Sequence, residues 1–571
     1  MARFHPPTLH FAFCYILIAL TTNPSILLAS EDDEFSIIDS DSNLFHQDYS
    51  PPAPPPPPPH PPSVSCTDDL GGVGSLDTTC QIVSDSNLTS DVYIAGKGNF
   101  YILPGVRFYC ATPGCSIILN ITGNFSLGNS SSIFAGDFEL AAHNASFLNG
   151  SVVNTTGLAG KPPSQTSGTP QGIEGAGGGH GGRGACCLVD DTKLPEDVWG
   201  GDAYSWSSLQ KPCSFGSRGG STSKEVDYGG LGGGVVKLEI KLLLEVNGSV
   251  LADGGDGGTK GGGGSGGSIH IKAQRMTGSG RISACGGNGY AGGGGGRVSI
   301  DVFSRHDDPS VFVHGGSSNA CPENAGGAGT LYDAVPRSLI ISNHNKSTDT
   351  ETLLLEFPYQ PLWTNIYVRN KARATVPLLW SRVQVQGQIS LLCDGVLSFG
   401  LQHYASSEFE LLAEELLMSD SVIKVYGALR INVVVLRESS VIHSNANLGV
   451  HGQGLLNLSG PGDWIEAQRL VLSLFYSIHV GPGSVLRGPL ENATSDSVTP
   501  KLYCENEDCP VELLHPPEDC NVNSSLSFTL QICRVEDINI AGLIKGSVCS
   551  FSQGEDHCCP LYWNDKCIRN G

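Results

Sequence analysis

Charge is what this sequence has least of. Only 16% of its 571 residues are Asp, Glu, Lys or Arg, and 56 acidic residues outnumber 33 basic ones, for a formal charge of −23. A surplus of that sign, with no dense Lys/Arg patch, argues against a nucleic-acid partner. Charge this scarce, in a chain so rich in glycine, leaves little material for amphipathic helices. Beyond residue 20 no apolar run approaches the ~20 residues of a membrane helix.

Catalytic signatures are missing too. H-E-x-x-H, C-x-x-C and the Gly-Lys-Ser/Thr ending of a phosphate loop do not occur. Gly263-Gly-Ser265-Gly-Gly267 satisfies G-x-S-x-G, but polyglycine surrounds it where a nucleophile elbow needs a strand and then a helix. Asp253 and Asp256 lie in Asp-Gly-Gly-Asp-Gly-Gly, out of the register of calcium-binding β-rolls, and read as turn-stabilising. No catalytic residue, cofactor or metal is therefore expected.

What the chain has in abundance is glycine, 74 in all. From 229 to 302 one unit is written twice: Gly234-Val-Val236-Lys-Leu238-Glu-Ile240 then Gly248-Ser-Val250-Leu-Ala252, and Gly267-Ser-Ile269-His-Ile271 then Gly280-Arg-Ile282-Ser-Ala284. The blocks 248–255 and 280–287 align without a gap, 32 residues apart. Alternation of apolar and polar residues is the period of a half-buried strand. Glycines between strands are expected to make corners at positive φ. A strand with one apolar face buries it by stacking on the next copy. The fold expected is all-β, a long parallel β-solenoid or β-helix.

Residues 1–30 read as a signal peptide, with a short apolar core at 11–20. Residues 31–65 are acidic and then proline-rich, a disordered linker with a polyproline rod. Diluted copies of the unit occupy 66–160, where Cys110 and Cys115 either staple one turn or pair elsewhere. Residues 161–230 lose the alternation and read as a Gly/Cys-rich excursion loop, the first candidate for a binding surface, with His180, Arg183, Trp199 and Trp206 as its candidate residues. Glycine-rich coils follow at 231–336 and leaner ones at 337–548, where Ile465-Glu-Ala467-Gln468-Arg469 echoes Ile271-Lys-Ala273-Gln274-Arg275. These echoes argue one continuous architecture. The stretch 407–418 has helix propensity, yet it opens like Phe138-Glu-Leu140 and is read as strand. The last segment, 549–571, is Cys-rich with no strand pattern and is expected to be divergent or disordered.

Secretion is expected on two further counts. Twelve N-x-Ser/Thr sequons stand at Asn87, Asn120, Asn124, Asn129, Asn144, Asn149, Asn154, Asn247, Asn345, Asn457, Asn492 and Asn523. Eighteen cysteines remain once Cys14 leaves with the signal, an even number suited to disulfides.

The run 175–187, the doubled unit and the Ala-Gln-Arg echoes together resemble a plant family of large glycine-rich secretory-pathway and membrane-associated proteins, sometimes labelled ephrin-receptor-like. The resemblance covers roughly 66–548 and implies no catalytic residues. It implies membrane anchorage in longer relatives, from which this sequence departs at Cys549 like a C-terminally truncated form. The function expected is a non-enzymatic secreted or lumenal glycoprotein, a scaffold or binding surface for a wall glycan or an extracellular protein. The alternatives are a pectin lyase or hydrolase of the β-helix type, and the ectodomain of a membrane-anchored receptor-like protein.

Overall fold

The computed structural model describes residues 61–487 apart from 111, 163–165, 169–174, 189–199, 205–207, 355–361, 377–381, 400–409, 426–427, 453, 474 and 476. Beyond 487 it describes the strands 528–532, 537–540, 543–545, 547–552 and 555–560. The segments expected to be a signal peptide and a linker, as far as residue 60, lie outside the described residues, as do Trp199, Trp206, Asn492, Asn523 and most C-terminal cysteines.

Among the described residues there are strands and no helix. Strands pair in parallel with partners a few elements away in the chain. Asp137–Phe147 pairs with Val235–Val246, that with Ser268–Thr277, and that with Arg297–His306. A second sheet of seven short strands keeps chain order in space, from Ser86–Asn87 to Ser310–Phe312. Here the sequence alignment is the register: Ser249 faces Arg281 and Val250 faces Ile282, the 32-residue offset of the repeat. Residues 155–233 are thus an insertion between neighbouring strands of the ladder.

Alternation sets the interior. Phe138, Leu140, Val236, Leu238, Ile269, Ile271, Val298 and Ile300 are buried in one apolar core that spans 66–313. Phe100, Phe125 and Phe147 form a column within it, with ring centroids 6.3 and 5.8 Å apart. A second core runs from Ala328 to Leu486 and takes in Leu209 of the insertion.

The two cores meet where strand direction reverses. Thr330–Asp333 pairs in parallel with Arg297–His306 but antiparallel with Ser338–Ser342, which starts a new parallel series. The tight link, with Arg337 at φ 47°, folds the chain into a hairpin. The ladder is continuous, but its second half runs the other way, which the echoes did not reveal. Hairpins also lie at Val73–Gly74 on Thr79–Ile82 and at Ser547–Ser552 on Glu555–Pro560. The second corrects the expectation of a patternless tail from 549. The strand Glu410–Val425 settles the helix-prone stretch as strand, because neighbours on both sides pair with it.

The glycine tract obeys a different geometry. In the rod 262–267, Gly262 and Ser265 donate to the carbonyls of Gly220 and Ser217. Gly263 and Gly266 donate to Ala291 and Gly294, and Gly264 and Gly267 to Gly255 and Ala252. Each direction recurs every third residue, the screw of a polyproline II chain, which has no internal hydrogen bonds and leaves its amides free to bond sideways. The same rod accepts from Gly178, Gly230, Gly233 and Gly287. Each rod is therefore bonded to neighbours all around it, satisfying its buried peptides without a sheet.

This corrects the reason given for the glycines. Among the described glycines from 175 to 329, only Gly175, Gly258 and Gly278 sit at positive φ. Close approach, not handedness, demands glycine: a Cβ on Gly263 would lie 1.9 Å from the Gly287 carbonyl oxygen.

Candidate functional site

Part of the anticipated binding loop is interior, although Leu188, Val226 and Tyr228 within it are exposed. His180, expected as an exposed glycine-loop residue, is 0% exposed. Its backbone donates to the Gly182 carbonyl and accepts from Tyr204 N–H, and its Nδ1 lies 2.8 Å from the Gly266 carbonyl. That contact fixes the Nδ1–H tautomer and leaves Nε2 buried without a hydrogen-bond partner. Its ring lies 4.5 Å from that of Tyr204. Tyr204 donates to the Phe215 carbonyl at 2.9 Å and contacts the Ser217 hydroxyl, which reaches Thr166 at 2.5 Å. Arg297, 1% exposed, donates to the Tyr204 carbonyl at 2.6 Å. Arg183 pairs with Asp202 at 3.2 Å and Glu351 at 3.9 Å.

Ser265, the serine of G-x-S-x-G, donates to the Gly179 carbonyl at 3.1 Å and accepts from Ser217 N–H. It is fully buried and no helix follows. The cluster is a polar knot that ties the insertion to the sheet.

Burial, with Arg297 adding to it, pushes His180 down to about 3. The unfolded histidine titrates near 6.5, so between roughly pH 6.5 and 3 the unfolded chain binds the extra proton. Stability is complete above that window and falls as pH drops through it. Asp137, pushed up to about 6 by its burial and by Glu139, has the opposite slope. Comparing wild type with His180→Asn cancels that and every other group. The acid loss is expected to shrink by several kcal/mol in the variant, read from urea midpoints at pH 7 and pH 4; equal losses would refute the assignment.

None of the described sequon asparagines is buried. Asn87, Asn120, Asn124, Asn129, Asn149 and Asn345 are exposed or nearly so, and Asn144, Asn154, Asn247 and Asn457 half-buried. Asn144 donates to Asn124 Oδ1 at 2.9 Å, and Asn247 to Glu245 at 2.8 Å. Asp253 accepts from Ser283 Oγ and Cys285 N–H on the next strand, both at 2.6 Å, and Asp256 from Asn288 N–H. They are inter-strand braces. Cys110 pairs with Cys115, so that pair staples its own turn.

An open site lies in the second half, which composition did not single out. Lys371, Asp394, Asp420 and Ser439 each precede by two residues a member of one strand-paired row, Arg373, Val396, Val422 and Val441, and together they line one depression at a corner. All four occupy positive φ, between 46° and 63°, a conformation that costs non-glycine residues roughly 1–2 kcal/mol. The glycine-rich half keeps few side chains on its rods; this corner retains them despite the backbone cost, as functional surfaces do.

Two residues along each strand a second row reads Arg373, Val396, Val422, Val441 and Trp464. Two further along lie Lys424, His443, Glu466 and Arg487. Their partners in the alternation, such as Leu397, Ile423, Ile442 and Ile465, are buried, so these rows form the outer face. A depression of about 320 Å³ opens on it, lined by Lys371, Arg373, Asp394, Val396, Asp420 and Val422 among others.

Ion pairs fix its ends. Arg373 meets Asp349 at 2.8 Å, and Lys371 donates to Ser347 at 3.2 Å. His443 Nδ1 lies 2.9 Å from Glu466, Arg487 is 3.7 Å from the same carboxylate, and its guanidinium lies 5.3 Å from the Trp464 ring centre. Spacings between row members vary from 19 to 26 residues, so only strand register brings them together. The valines and Trp464 at alternate positions were the sole sequence signal.

Among the described residues no group of three or more His, Cys, Asp or Glu could hold a metal, and no helix is long and apolar enough to cross a membrane. No protein-family model, curated protein or solved structure matches this chain.

Proposed function

We propose that this chain is a non-enzymatic glycoprotein of the secretory pathway, a member of the plant glycine-rich group it resembles. On this reading the parallel ladders wind as coils of a β-solenoid, and the molecule is a rigid scaffold presenting a binding face to a wall glycan or an extracellular protein. The observation that carries it is the three-row outer face between 371 and 487, with a shallow depression over a half-buried apolar row. Disulfides at Cys66–Cys80, Cys110–Cys115 and Cys187–Cys321 suit an oxidising compartment.

One observation favours the enzymatic alternative. Asp394 and Asp420 stand on adjacent strands and line the same depression, and a pair of carboxyl groups flanking the bond is what glycoside hydrolysis uses. A glycan array run beside a pectin-cleavage assay separates the two. Binding without new reducing or unsaturated ends supports the scaffold. Cleavage that disappears in Asp394→Asn or Asp420→Asn supports the enzyme.

A further inference from the structure

We infer that the outer face binds a neutral, flat, equatorially linked polysaccharide of the β-1,4-glucan type, lying along the stacking axis and across the strands. This rests on the binding-face reading above and names its ligand.

The rows have an order that few ligands match. The central row is apolar from Val396 through Val422 and Val441 to Trp464, three strand steps or ~14 Å. Lys371, Asp394, Asp420 and Ser439, each two residues before a strand-paired residue in the chain, lie on one side of it and line the same depression as Val396 and Val422. Lys424, His443 and Glu466 lie two residues along each strand on the other side. A pyranose ribbon with equatorial hydroxyls has the complementary cross-section: C–H groups on its flat faces and hydroxyls along both edges. Its face would cover the valines and Trp464, where an aromatic body supplies contact area. Its edge hydroxyls would donate to Asp394, Asp420 and Glu466, charged acceptors that make the stronger hydrogen bonds.

Charge decides between neutral and acidic glycans. Four cations, Lys371, Arg373, Lys424 and Arg487, stand beside four carboxylates, Asp349, Asp394, Asp420 and Glu466, and Arg487 and Arg373 are already engaged with Glu466 and Asp349. The face is close to balanced on a chain of charge −23. It offers a polyuronide no net attraction, and the chain as a whole repels it.

The test is isothermal titration of the full secreted chain with cellohexaose, a galacturonate hexamer and a valine-rich neutral peptide, at physiological salt. Cellohexaose is expected to bind. Trp464→Ala is expected to weaken it at least tenfold and Asp420→Ala several-fold, with the circular dichroism spectrum unchanged. Val422→Glu, on the half-exposed row, should abolish binding and stands in if Trp464→Ala misfolds. Binding of the uronide or the peptide instead, lost in Val422→Glu, would overturn this inference and leave the binding face intact. No binding in any arm would overturn both, as would cellohexaose binding that survives Trp464→Ala and Val422→Glu.

Discussion

Gly263→Ala is expected to destabilise the chain by about 3–5 kcal/mol and to sharply reduce its yield as a folded protein. The new Cβ would meet the Gly287 carbonyl oxygen at 1.9 Å, and backbone oxygen cannot rotate away as a flexible side chain can. Relief requires rods 262–267 and 284–287 to separate, an overpacking cost of ~1–3 kcal/mol or more. Separation also weakens hydrogen bonds such as Gly263 N–H to Ala291 and Gly178 N–H to Gly263, each worth about 1 kcal/mol net. Gly105→Ala is the control. Gly105 sits at φ 79°, and a methyl group added there would meet nothing within 4 Å, so the cost is only the left-handed conformation, roughly 1–2 kcal/mol. Urea unfolding of both variants separates crowding from handedness. Equal losses would mean that the rods are not close-packed.

Removing the Cys187–Cys321 disulfide as a double Cys→Ala variant is expected to cost about 4–5 kcal/mol, from the chain entropy of a loop closed over 134 residues. The same change at Cys110–Cys115, five residues apart, should cost about 2 kcal/mol. The long cross-link joins the insertion to the loop after Val313, so its loss frees two rods at once. Guanidinium midpoints of the two double variants, measured without reductant, give the comparison; a smaller loss for the long loop would show that the insertion holds without its cross-link.

The strands were legible because alternation is local. Val236, Leu238, Ile269 and Ile271 alternate with polar neighbours, and the 32-residue repeat already contained the register of Ser249 on Arg281. Direction was not legible: the reversal at 333–338 depends on a tight hairpin at Arg337, and a parallel and an antiparallel neighbour ask for the same alternation. The burial of His180 was not legible either. Glycine around a histidine reads as exposed loop by composition, and only the rods' sideways hydrogen bonds convert it to interior. The outer face escaped for a third reason. Lys371, Asp394, Asp420 and Ser439 are of mixed type and irregularly spaced, and they come together only when the strands pair.

The rods have a thermal consequence. The apolar cores on either side expose hydrocarbon when they melt, which raises the heat capacity and bends their stability curve. The rods expose peptide groups, whose hydration lowers it. Their share of the free energy should thus vary less with temperature, and in the cold, where hydrocarbon burial weakens, the glycine block should be the part that holds.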